Sequence, residues 1–363
     1  ERLLPMVAAE LGQISDSYYR LFPEHRDQTC YFFFDEVQNI SGWEIWLRRL
    51  VDTERVQIAV TGSSAKLLSR EIATALRGRS LSTEMFPFSF REALAHEGIS
   101  ELPASRPGAK KRALLENRLR RYLLNGGFPE IQSVADNYRI RILQEYVDVV
   151  ILRDIVERYQ VGNILPLRAL IRHLLGTPAT LFSINKFYND LKSQGLACGK
   201  NTLHDYFEYL QDAYLIYPVP IYSRSERAKR VNPRKVYVID TGLANAFLHQ
   251  PQSDWGRLLE NFVFMELRRR ALDIQYYRTE DGLEVDFITT DSRAARALYQ
   301  VSLELRDKRT RDREVRALTT AMKETGIKHA TIVSLDTEER IETEAGEIDV
   351  VCASLWSLQT SQN

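Results

Sequence analysis

The chain has 363 residues with 49 basic and 49 acidic side chains, a net charge of zero. That balance excludes a uniformly basic nucleic-acid binder and leaves room for a local basic patch. No apolar run approaches the ~20 residues of a membrane span, so no membrane partner is expected, and three scattered cysteines, Cys30, Cys198 and Cys352, fit a reducing cytoplasm rather than a disulfide framework or metal spacing.

Leu3, Leu4, Val7, Leu11 and Ile14 recur at helical spacing, so residues 1–21 read as a helix that Pro23 ends. The chain begins at Glu1 rather than Met and enters this pattern at once, which reads as a fragment. Residues 31–38 follow as an aromatic-rich apolar run ending in two adjacent acids, expected to be a fully buried strand of a parallel sheet. Asp35 and Glu36 then fall at the strand's carboxyl end, where open α/β sheets bind ligands. This is the pattern of a Walker B strand, in which one acid holds Mg²⁺ and the next readies the water that attacks a γ-phosphate. The bland reading is a polar strand end facing water.

Residues 43–51 read as an amphipathic helix, and 56–60 as a second buried strand that ends in Thr61-Gly62-Ser63-Ser64. Thr61 and Ser63 are candidate sensors of the γ-phosphate or its attacking water, while Ser64 fits a helix cap. A helix over 66–76 and a third strand over 81–86 complete an α/β alternation with a parallel sheet. Arg77 and Arg79 flank Gly78 just past that helix. Arg77 fits a charge offsetting the helix dipole. Arg79 fits that role or an arginine finger reaching a neighbouring subunit's phosphate.

From Ser89 to about Thr177 the pattern is mostly helical, broken at 101–107 and at Gly126-Gly127-Phe128-Pro129. A long helix over 134–159 carries Arg153-Asp154 near its end, and the whole stretch reads as a lid or linker bundle. Ser183 can cap a helix to Ser193, a turn follows at 194–196, and a second helix buries Leu203, Phe207 and Leu210. A strand over 214–219, a basic loop (Arg224, Arg227, Lys229, Arg230, Arg234, Lys235) and a return strand over 235–239 then make a winged helix. Lys200, Asn201, Thr202 and His204 sit where a recognition helix meets a groove. Arg227, Lys229 and Arg230 in the wing fit phosphates, so DNA is a candidate partner. The many aromatics (Tyr206, Phe207, Tyr209, Tyr214, Tyr217) fit a protein-docking module instead. The last unit, from about Thr241, reads as a helix (258–272), strands (273–277, 282–290, 297–302), a helix (309–323) and strands (330–335, 348–352).

The chain resembles the bacterial and archaeal AAA-type ATPases that pair an ATPase core with a C-terminal domain of unknown function. The resemblance rests on an ordered series of short pieces: residues 31–38, Thr61-Gly62-Ser63-Ser64, Leu76-Arg77-Gly78-Arg79, residues 86–92, Gly126-Gly127-Phe128-Pro129-Glu130 and Leu152-Arg153-Asp154-Ile155. Lys235-Val236-Tyr237, Asp240-Thr241-Gly242-Leu243, Leu259-Glu260-Asn261, Glu284-Val285-Asp286-Phe287 and Arg313-Glu314 complete it. It implies ATP and Mg²⁺ as cofactors, Asp35 as the Mg²⁺ residue acting through water, Glu36 as the residue that activates the attacking water, and a homo-oligomer wherever Arg79 acts as a finger. One departure is large. No G-x-x-x-x-G-K-[ST] occurs, and Gly199-Lys200-Asn201-Thr202 is only an echo of it. In the family that loop precedes the first helix read here, so the chain is expected to start after it, and residues 1–363 alone to bind ATP poorly or not at all.

The C-terminal unit is similar to the PD-(D/E)XK nuclease fold, which implies a metal site at Glu260 and Asp286. The third position should be an acid-x-Lys, and Gln300-Val301-Ser302 stands there. Glutamine can offer an oxygen to a metal, but serine cannot replace the ammonium, so the site is at best degenerate unless Arg306 or Lys308 supplies charge. The bland readings pair Glu260 with Arg257 or Arg268 and put Asp286 on the exposed face of an edge strand.

The expected class is therefore α/β: a P-loop-type parallel sheet without its phosphate loop (1–97), a helical lid (98–180), a winged helix (181–240) and a restriction-endonuclease-like domain (241–363). The expected function is Mg²⁺-dependent ATP hydrolysis coupled to a C-terminal domain that contacts nucleic acid. Two alternatives use the same residues: a DNA-binding or degenerate nuclease module with a regulatory ATPase core, and a non-enzymatic protein-interaction module.

Overall fold

The computed structural model describes residues 8–37, 40–62, 81–100, 107–248 and 254–359. They divide into two compact units, Glu1–Met85 with Asp212–Tyr214, and Phe86–Gln211 with Leu215–Asn363.

In the first unit, α1 (Ala8–Leu21) leads to β1 (Cys30–Phe34), and α2 (Trp43–Thr53) crosses to β2 (Val56–Val60). The strands pair in parallel, from Cys30 opposite Val56 to Phe34 opposite Val60. Alternation sends Phe32, Phe34, Val56, Ile58 and Val60 onto a core of Leu11, Val37, Trp43, Trp46, Leu47 and Leu50. The other face of β1 is open, with Tyr31 70% and Phe33 79% exposed. The fully buried strand expected from the aromatic run is thus corrected: an unbroken apolar run does not by itself say which faces are covered. The strand expected at 81–86 is also absent. Pro87 follows it and cannot donate to a ladder, and Phe86 lies under the Arg269 guanidinium, 5.0 Å from its ring centre.

The second unit opens with a helix over Phe90–His96 (α3), started by a reciprocal Ser89–Glu92 capping box. Next come α4 (Ala109–Asn125) and α5 (Asp136–Val150), the latter continuing into a π-helical segment, Ile151–Glu157, that carries Arg153 and Asp154. Then α6 (Ile164–Leu175), β3 (Thr180–Phe182), α7 (Ile184–Ser193), α8 (Lys200–Asp212), β4 (Ile216–Val219), α9 (Glu226–Val231) and β5 (Arg234–Val238) build a three-stranded antiparallel sheet in the order β3-β5-β4. Ser183 caps α7 as its position predicts. The connection expected to be a basic loop contains α9 instead, because Ser225 accepts from Ala228 N and starts a helical turn.

After α10 (Thr241–Asn245) and α11 (Trp255–Arg269) the chain forms a six-stranded sheet. Its strands are β6 (Asp273–Arg278), β7 (Glu284–Thr290), β8 (Arg296–Ser302), β9 (His329–Ser334), β10 (Glu339–Thr343) and β11 (Gly346–Cys352), in the order β10-β11-β9-β8-β7-β6. The helix α12 (Lys308–Thr325) makes the crossover between parallel β8 and β9, and α13 (Ala353–Trp356) ends the unit. Val285, Ile288, Leu298, Leu318, Met322, Ile332 and Ile348 fill the core between α12 and the sheet. Because β7 pairs on both sides, Asp286 does not lie on an edge strand, and it is buried. The strand β10 has no counterpart in the sequence reading, since Glu339, Arg340, Glu342 and Thr343 hide its alternation.

Three of the short pieces lock to one another here. The α4 helix ends at Gly126, whose φ of +78° favours glycine and whose Cβ, if present, would overlap Asp240 Oδ1. Asp240 accepts from Gly127 N at 2.6 Å and from Leu243 N at 2.8 Å, so one carboxylate caps α10 and ties residues 126–130 to residues 240–243. Phe88 N donates to Gly127 O at 2.7 Å, adding the 86–92 piece. Burial pushes the Asp240 carboxyl up to about 6 despite the backbone donors that favour its charge. Among the described residues no helix is long and apolar enough to cross a membrane.

Candidate functional site

Among the described residues two acidic centres stand out. The first is the carboxyl end of the parallel pair. Thr61 N bonds Phe34 O at 2.9 Å, carrying the register one residue beyond the strands, and the Thr61 hydroxyl then donates to Asp35 Oδ1. Both side chains are exposed. Glu36 sits at φ 51°, in the left-handed region a glutamate seldom occupies. The next residue, Val37, is buried, so the chain turns sharply around the acid pair and re-enters the core. Asp35, Glu36 and Thr61 are therefore together, whereas Ser63 and Arg79 lie outside the described residues.

The oxygens here suit a hard cation. Among the described residues no group of three or more His, Cys, Asp or Glu side chains is arranged to hold a metal ion. Mg²⁺ at Asp35 would draw its other ligands from water and phosphate, as is usual for this ion. The phosphates themselves have no cradle in the sequence, because the glycine-rich loop with its lysine is not in these 363 residues.

The second centre is organised by a lysine: Lys235 and Asp286 are buried, and Glu260 and Glu284 are half-buried. Lys235 is the first inward-facing residue of β5, on the same face as Tyr237, and its ammonium is 2.8 Å from each of three carboxylate oxygens: Glu260 Oε1 on α11, Glu284 Oε1 and Asp286 Oδ1 on β7. Tyr237 donates its hydroxyl to Glu260 Oε1 at 2.7 Å, and Val301 N donates to Asp286 Oδ2 at 2.9 Å. Gln300 Oε1 accepts from Asp286 N at 3.2 Å, while its amide donates to Glu314 Oε2 at 2.8 Å, and Arg313 pairs with Glu314. Beside Glu260, the Asn261 side chain is fully buried and bonds both Val238 N (2.7 Å) and Val238 O (2.8 Å), satisfying both backbone groups of that β5 residue. Burial and then the Asp286 charge push the Glu260 carboxyl up to about 8. Burial works against the Lys235 charge, but Asp286 and the other surrounding acids outweigh it and hold its pKa well above the usual lysine value.

Several expectations change at this centre. Glu260 pairs with Lys235 and Tyr237, not with Arg257, which meets Asp254, or with Arg268, which lies over the Tyr217 ring. The extra charge comes neither from Arg306, paired with Asp336, nor from Lys308, exposed at the start of α12. Lys235, read as part of a basic loop, points inward. Gln300 spends both ends of its amide on protein partners. With the ammonium already at the centre of the three oxygens, the residues present do not fit a divalent ion.

Of the residues read as DNA contacts, Lys200, Asn201 and His204 are exposed on the first turns of α8, and Thr202 is half-buried. Asp205 and Glu208 are exposed further along the same helix. Arg227 is exposed, and Lys229 pairs with Glu226 at 2.9 Å. The Arg230 side chain lies outside the described set.

Comparison with known proteins bears on the whole chain. An AAA domain model matches residues 5–94, a domain of unknown function (DUF8612) matches 116–254, and a second one (DUF4143) matches 255–356. The uncharacterized protein MJ1544 of Methanocaldococcus jannaschii is 35% identical over 368 residues, covering 99% of this chain and 80% of that protein. The chain belongs to this AAA-type ATPase family. Another relative, an uncharacterized protein of Haemophilus influenzae, is 29% identical over 279 residues, 77% of this chain and 67% of its own length. The family's domain limits cut through the second centre: Lys235 lies in the middle match, and Glu260, Glu284, Asp286 and Gln300 lie in the C-terminal one. Reading the C-terminal domain on its own therefore misses the cation. The alternation of β5, which puts Lys235 on the face of Tyr237, was the signal that could have found it.

Proposed function

We propose that the first unit carries the hydrolytic half of an ATPase site. The observation that carries the reading is the Thr61 hydroxyl donating to Asp35 across the ends of two parallel strands. Asp35, oriented by Thr61, holds Mg²⁺ through water, and the ion, when bound, offsets charge on the phosphates. Glu36 holds and orients the attacking water, and its left-handed backbone fits a residue whose position is set by function. Thr61 also serves as sensor, with Ser63 two residues further on, and Arg79 serves as a finger toward a second copy of the chain. The test is ATP turnover by the protein. Glu36→Gln is expected to lower ATP hydrolysis about 10²–10³-fold with nucleotide binding kept, and unchanged turnover overturns the reading. Residues 1–363 alone are expected to bind ATP weakly, for want of a phosphate loop.

The order strand, helix, helix, strand, short helix, strand, with β3 beside β5, supports a winged-helix arrangement for residues 181–240. The succession of α11, the antiparallel β6-β7-β8, α12 and parallel β9 supports a nuclease-like fold for the last part. Lys200, Asn201, Thr202, His204, Arg227, Lys229 and Arg230 are the proposed contacts to duplex DNA. The nearby Asp205, Glu208 and Glu226 reduce the positive field, so the affinity is expected to be low and to fall steeply with salt. A salt-independent affinity overturns that part.

A further inference from the structure

We propose that the Lys235 ammonium is the resident cation of the second acidic centre, so that the C-terminal domain closes on a lysine from the preceding segment and needs no divalent ion. The inference rests on the geometry of the cluster and not on the ATPase reading.

An ammonium has three N–H donors, and three carboxylate oxygens stand 2.8 Å from this one. The second-rank partners are also engaged: Glu260 by Tyr237, Asp286 by Val301 N, and Gln300 by Asp286 N and Glu314. Mg²⁺ requires oxygens at about 2.0–2.1 Å in an octahedron and keeps several waters. It cannot share those oxygens with an ammonium at their centre. The lysine comes from β5 of the three-stranded sheet, whereas the acids come from α11 and from β7 of the six-stranded sheet. The same contact that cancels charge therefore joins two sheets. Take the lysine away, and three acids surround a space that a hard cation would fill.

The experiment compares Mn²⁺ binding by calorimetry and thermal unfolding for the full chain, Lys235→Ala, Asp286→Asn, Asp35→Asn and the Lys235→Ala/Asp286→Asn pair. The wild-type chain is expected to show no Mn²⁺ binding that Asp286→Asn removes. Lys235→Ala is expected to melt at a lower temperature and to recover several degrees in millimolar Mn²⁺, a gain lost when Asp286→Asn is added. One-to-one Mn²⁺ binding by the wild type, lost in Asp286→Asn and kept in Asp35→Asn, overturns the proposal. So does a Lys235→Ala chain that is neither destabilised nor responsive to Mn²⁺. Should Lys235→Ala not fold, Lys235→Met/Asp286→Asn decides: it is expected to be more stable than Lys235→Met, and equal or lower stability overturns the proposal.

Discussion

At the end of β1 and β2, Asp35 stands exposed beside half-buried Glu36 and takes one hydroxyl from the neighbouring strand end. In the second unit, Lys235 and Asp286 are buried, and half-buried Glu260 and Glu284 meet the same ammonium. The contrast separates two uses of the same chemistry. An acid that must receive a ligand keeps water and reach. An acid sealed with its own counter-charge holds elements together and costs desolvation that only good geometry offsets.

Substitutions should break the two centres differently. The largest expected effect is at Lys235→Met, which leaves three acids without a cation. It should cost about 3–5 kcal/mol, read as faster hydrogen exchange of the β7 and β8 amides. Asn261→Leu should follow, because Val238 N and O lose their partner inside the core. A loss of roughly 2–4 kcal/mol is expected by urea unfolding. Glu260→Gln sharpens the contrast through pH. The Glu260 carboxyl is raised from 4.5 to about 8, so the folded state holds its proton more tightly than the unfolded chain does. Its contribution is complete below about pH 4.5 and is lost as pH rises towards about 8. Glutamine keeps the neutral shape, so the melting temperature of Glu260→Gln should fall less between pH 5 and 8 than that of the wild type. The smallest expected change is at the open centre, where Asp35→Asn and Thr61→Ala should alter stability by no more than about 0.5 kcal/mol. A loss of several kcal/mol there would erase the distinction between the two centres.

How far the sequence carried this picture follows from the kind of signal each residue leaves. Asp35 and Thr61 close short β-branched and aromatic runs, and their meeting follows from parallel pairing. Glu260 and Asp286 stand out as a helix acid and a strand acid. Lys235 does not, because it follows five basic residues and reads as the last of them. Its direction depends on strand phase, and its partners are 25 to 51 positions away. The open face of β1 was illegible for a related reason. Tyr31 and Phe33 are as apolar as Phe32 and Phe34, so composition carried no alternation to read. Pro87 could have warned against a strand at 81–86, since it marks where ladder bonding must stop.

The bond between Gly127 and Asp240 spans 113 positions, and that span has a consequence for the birth of the protein. At a synthesis rate of about 5–20 residues per second, roughly 6–23 s separate the appearance of the two residues. During that interval Leu115, Leu119 and Leu123, fully enclosed in the finished molecule, have emerged without the segment from 240 to 245 that packs on their helix. The helices from 109 to 150 therefore wait for that segment before their enclosed face is covered, and a chain cut just before residue 240 should aggregate more readily than the full chain.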